Sequence, residues 1–145
     1  MSAIQVTLLV IAVVEVLSVL ELYFMQDRCI FNGVAMFKVC VLARKNPDLF
    51  GLVRYLVNWV AGIKLIVIGL IVVIVFTAPA NTILYVAISM IFTIASFFWR
   101  MFPMSRQFDE AGQIEPKGRS KMLGMMVLSL EVFLVASILI EVFLV

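Results

Sequence analysis

Hydrophobic residues gather along this chain in four long runs, at residues 4–25, 53–76, 82–102 and 122–145. Each is about as long as the roughly 20 residues that a helix needs to cross a ~30 Å hydrocarbon core. Two connections that carry most of the charge, 26–52 and 103–121, and a short uncharged turn, Thr77-Ala78-Pro79-Ala80-Asn81, separate them. The pattern predicts an all-α integral membrane bundle of four transmembrane helices, forming a single domain over 1–145. The second run is expected to be the membrane part of a longer helix. Asn46, Pro47 and Asp48 supply an N-cap, a proline at the first helical position and an acid in the first turn.

Residues 29–43 are also apolar, but this stretch is only fifteen residues long and is interrupted by Asn32, Gly33 and Lys38. That is too short to span, so a short interfacial helix is expected there, with Lys38 reaching towards the headgroups. Residues 103–121 read as a solvated connector. The first run carries no Lys or Arg ahead of it and exceeds the length of a signal-peptide core, which predicts a retained span.

Charge adds an orientation. Arg28, Lys38, Arg44, Lys45 and Arg54 flank the first connection, and Arg100, Arg106, Lys117, Arg119 and Lys121 flank the third. Ten of the eleven basic residues therefore lie on one side. The positive-inside rule makes that side cytoplasmic and puts both termini on the other, as expected in a cytoplasmic or inner membrane.

Composition narrows the chemistry. With 65% hydrophobic and 14% charged residues, the chain is too apolar for a soluble domain of its length. Histidine is absent, which excludes His-ligated haem, zinc, copper and non-haem iron, and histidine acid–base catalysis. Cys29 and Cys40 form no CxxC pair and read as small packing residues. No metal site and no cofactor are expected. No basic stripe interleaves with aromatics, so nucleic acid is not an expected partner.

Three ionisable residues stand inside the apolar runs: Glu15, Lys64 and Glu131. Glu15 lies ten residues from Met25, Lys64 ten from Arg54 and Glu131 ten from Lys121. At about 1.5 Å per residue all three fall near the middle of the bilayer. A charge there costs about 2.5–3.5 kcal/mol on insertion scales, so the three are expected to meet in a buried cluster or to mark an ion or proton pathway. A supporting polar face is expected from Asn58 in the second span and from Ser89, Thr93, Ser96 and Arg100, which share one side of the third.

These features lead to a transport-related (proton or ion) component of an oligomeric membrane assembly. The alternative is a non-catalytic structural or assembly subunit of a larger membrane complex. The expected partners are the lipid bilayer and either further copies of the chain or other membrane subunits.

Arg54 and Asn58, in Arg54-Tyr-Leu-Val-Asn58, resemble the Arg-x-x-x-Asn element of the membrane-associated glutathione and eicosanoid enzymes. Those enzymes are trimers of four-span chains with outside termini. The histidine within that element and the glutamate after it are missing, with Leu56 or Val57 and Ala61 in their places. The resemblance covers topology and two residues; it implies a trimeric membrane enzyme of that type as a third and weaker alternative, against which the missing histidine and glutamate argue. Glu15 in the first span is similar to the intramembrane acid of small multidrug transporters, whose Gly-rich motifs this chain lacks.

Overall fold

A computed structural model describes residues 1–25 and 34–143. Cys29, the first part of the expected interfacial helix and the last two residues of the fourth run lie outside the described residues. Five helices succeed one another: α1 Ala3–Phe24, α2 Lys38–Ala43, α3 Pro47–Thr77, α4 Ala80–Glu110 and α5 Arg119–Phe143. Four of them, α1, α3, α4 and α5, are long and apolar enough to cross a membrane.

The local signals in the sequence explain where the helices start. At α1, Ser2 and Gln5 form a reciprocal capping box: the Ser2 hydroxyl accepts from the Gln5 N–H, and the Gln5 side-chain oxygen accepts from the Ser2 N–H. Asn46 caps α3 by accepting from the N–H groups of Asp48 and Leu49, with Pro47 at the first helical position. Both caps are made by residues next to the helix they start.

α1 is the hub of the bundle and packs against α3, α5 and α4. Its buried positions include Ile4, Leu8, Ile11, Ser18 and Leu22; those of α3 include Val57, Ala61, Ile68, Ile71 and Val75. Each series follows the alternating 3–4 spacing of an interhelical seam, with one gap apiece. The missing member is Glu15 on α1 and Lys64 on α3. The helices run antiparallel, and Lys64 meets Glu15 across the seam. That register sets Ile4 opposite Val75, Leu8 opposite Ile71, Ile11 opposite Ile68 and Ser18 opposite Ala61. A second anchor agrees with it: the Gln5 side-chain amide donates to the Val75 carbonyl at 2.9 Å.

α4 and α5 form the other close pair. Gly124 lets them approach, because a Cβ at this position would stand 2.4 Å from the Phe102 ring. At the end of the bundle where α3 turns into α4, Glu141 of α5 accepts from the Ala3 N–H at 3.0 Å. A carboxylate there also complements the positive end of the α1 dipole.

The expectation of a connector over 103–121 is corrected. α4 continues through Pro103 to Glu110, and only the residues between Glu110 and Arg119 are non-helical. Proline forfeits one N–H inside the helix, but the last turns beyond it are held on both faces. Arg106 pairs with Glu110 at 2.9 Å on the outside, while Ser105 and Asp109 are buried on the inside. With 31 residues, α4 is about 46 Å long, well beyond a ~30 Å hydrocarbon core, and Arg106, Asp109 and Glu110 mark the end that protrudes.

This basic end is tied together. The Lys38 N–H donates to the Gln113 carbonyl and the Glu115 N–H to the Met36 carbonyl, both at 2.9 Å, joining the two connections in an isolated antiparallel bridge. Phe37 stacks edge-on against Phe108 beneath it. Asp109 then collects the start of α5, accepting from the N–H groups of Gly118 and Ser120 and from the Ser120 hydroxyl. These bonds, led by the Ser120 hydroxyl, hold the Asp109 carboxyl below its ordinary range against the opposing effect of burial.

Candidate functional site

Lys64 is placed by its own helix. It falls on the seam stripe of α3, between Ala61 and Ile68, so its side chain starts from the α1–α3 interface. Its Nζ donates to Oε2 of Glu15 at 2.7 Å and to the Ser18 hydroxyl at 2.9 Å. Ser18 comes three residues after Glu15, on the same side of α1. Ser18 is buried, whereas about a third of the Lys64 and Glu15 side chains remains accessible. The site is thus one cation, one carboxylate and one hydroxyl closed on each other inside the bundle.

An ammonium carries three donors. Two of them go to Glu15 and Ser18, and one remains. Lys64 also lines a cavity of about 460 Å³ bounded by α1, α3, α4 and the segment around Met36 and Phe37. The cavity is otherwise apolar, with Val57, Val60, Met104 and Phe108 among its walls. Its other polar lining residue, Ser105, spends its hydroxyl on the Met101 carbonyl.

Glu131 does not bond to the pair. It sits half-buried on α5, which packs against α4 and α1, and it makes no hydrogen bond or ion pair among the described residues. Of the expected supporting face, four residues lie on α4, which is not the helix of either partner in the pair. Ser89, Thr93, Ser96 and Arg100 are all exposed on α4. Thr93 donates back to the Ser89 carbonyl and Ser96 to the Thr93 carbonyl, within their own helix. Asn58 is half-buried on α3, next to the seam residue Val57, and Arg54, one turn earlier, is exposed.

Sequence pattern alone passes over three polar residues that the fold uses. Ser18 is legible as a neighbour of Glu15 at helical spacing, but its role depends on the reach of Lys64. Asp109 and Glu141 act across elements far apart in sequence, and no local pattern announces that. Among the described residues, no three His, Cys, Asp or Glu side chains gather as a metal-holding group. Burial pushes the Cys40 thiol up, against the smaller opposing effect of Arg44, which disfavours the reactive thiolate.

No family model matches the chain, and no curated protein or solved structure is significantly similar to it.

Proposed function

We propose that this protein is a non-catalytic subunit of a membrane assembly, self-associating through α4, with its basic end in the cytoplasm and both termini on the opposite side. The observation that carries this reading is the outward face of α4. Thr82, Tyr85, Ser89, Phe92, Ser96 and Trp99 recur at alternating spacings of 3 and 4, and all six are exposed. That is a seam of two full heptads in which hydroxyls occupy one set of positions and aromatic rings the other.

Copies of one chain share their orientation in a membrane, so two such helices run parallel and like layers meet. Hydroxyls both donate and accept, and rings pack against rings in offset or edge-on geometry, so both layers are self-complementary. Ser96 already donates within its own helix and keeps only acceptor capacity, whereas the Thr82 and Ser89 hydroxyls donate to nothing among the described residues; between helices all three can bond across the interface, and the small residues admit a neighbour. Within the protomer, Glu15 and Lys64 neutralise each other's charge, which suits a fixed helical scaffold. Oxidative cross-linking in membranes tests the reading, using Ser89→Cys and Ser96→Cys in a background without Cys29 and Cys40. Covalent dimers are expected from both, and none from Ile66→Cys on the exposed side of α3. Monomers alone in native mass spectra from nanodiscs would overturn it.

A second reading, a proton- or ion-transport component, draws on Glu131. A carboxyl within a span and without a counter-ion among the described residues is the kind of group that marks proton routes. Glu131→Gln is then expected to abolish proton flux into liposomes while leaving thermal stability unchanged. Wild-type protein that carries no flux under any cation gradient would sink this reading.

A further inference from the structure

We propose that the cavity between α3 and α4 binds a single-chain neutral lipid whose terminal oxygen accepts a hydrogen bond from Lys64. The size fits: about 460 Å³ lies within the roughly 300–1,000 Å³ typical of small-molecule sites. The shape fits as well. Lys64 and Val53 both line the cavity and are eleven residues apart on one helix, which makes it about 16 Å long. α3 and α4 each pack on α1, and the bridge between residues 36–38 and 113–115 spans the basic end, so lipid reaches the cavity from the side.

The wall chemistry selects the class of ligand. Met36, Met101 and Met104 contribute unbranched, adaptable side chains suited to a flexible hydrocarbon chain. Lys64 has one donor left after Glu15 and Ser18, and inside a low-dielectric site an acceptor on the ligand is the group that fills it. Glu15 already neutralises the ammonium, so an anionic head would bring an uncompensated charge into the bundle. A carbonyl or hydroxyl oxygen supplies the acceptor without that charge.

Photo-cross-linking in nanodiscs tests the inference with three diazirine probes of equal chain length: a fatty alcohol, a fatty acid held ionised at high pH, and a plain alkane. The alcohol is expected to label peptides containing Val57, Val60, Met104 and Phe108 about tenfold more than the alkane does, the worth of one hydrogen bond to a charged donor. It should also exceed the ionised acid. Val60→Trp and Met104→Trp, at two half-open wall positions, should each suppress this labelling without altering that of the lipid-facing side of α5. The paired change Glu15→Gln with Lys64→Met, which leaves no orphan charge, should retain cavity labelling but equalise alcohol and alkane. Equal labelling by alcohol and alkane in the wild type would overturn the role of Lys64. A preference for the ionised acid would overturn the neutral class. Labelling unaffected by both tryptophans would place the lipid outside the cavity.

Discussion

Lys64 stands opposite Glu15 at the one position in the α1–α3 seam where each helix carries a charge, with their atoms 2.7 Å apart. A polar pair at a single seam position fixes register, because a slip by one turn parts Lys64 from Glu15 and sets the carboxylate against Ala61 or Ile68. Lys64→Met is therefore expected to destabilise the protein by about 2 kcal/mol, less than for a fully buried pair because part of the carboxylate remains accessible. Adding Glu15→Gln should restore most of the loss, as should exchanging the two charges. Unfolding in mild detergent measures all of these, and a single Lys64→Met variant as stable as wild type would remove the pair from the account of the seam.

Gly124 and Phe102 make a second, independent contact. Gly124→Ala pushes a methyl into the ring and is expected to cost about 1–3 kcal/mol, the range for overpacking a filled interface. Phe102→Leu should absorb part of that cost, so the double variant should be more stable than additivity predicts. Strict additivity would mean that the ring moves aside freely.

Asp109 anchors the non-helical residues between α4 and α5. Its carboxyl is held below the ordinary range, chiefly by the Ser120 hydroxyl, so the folded state favours the ionised form. The stability it contributes is fully present above the ordinary carboxylate value of about 3.9 and is lost as pH falls through the lower folded value. Proteolysis at residues 111–118 is expected to stay slow from pH 8 to 5 and to accelerate only in stronger acid. Asp109→Ala should remove that protection at neutral pH.

Orientation has a direct test. Glu115 is exposed at the basic end and Asn81 at the opposite end. In cells, Asn81→Cys should react with an impermeant maleimide from outside, whereas Glu115→Cys should react only after permeabilisation. The reverse pattern would invert the assignment.

Hydropathy and length are enough to reveal the four long helices, because crossing a hydrocarbon core demands about the same number of apolar residues wherever the chain is placed. The start of α3 is readable from Asn46, Pro47 and Asp48 because capping is a local matter. The end of α4 is not. Pro103 and the charges after it look like a loop until Asp109 is seen bonded to Gly118 and Ser120. The same division runs through the site. Depth along a helix can be counted, so Glu15, Lys64 and Glu131 can be set at one level; which helix stands beside which cannot. With α1 as the hub, Lys64 on α3 reaches Glu15, while Glu131 on α5 bonds to neither. The α4 hydroxyls are legible as a face, but only packing reveals that it points outward.

Glu15 is synthesised 49 residues ahead of Lys64. During translation, α1 therefore emerges with an acid in its middle and no counter-charge yet made. Insertion of a lone central charge costs about 2.5–3.5 kcal/mol, and that cost is relieved only when α3 arrives alongside. The apolar residues of α1 outweigh that cost, so α1 can insert by itself, but with a smaller margin until α3 joins it. A chain cut off before Lys64 would keep α1 anchored by its apolar residues, yet with an acid in its middle that nothing else in the chain has been made to meet.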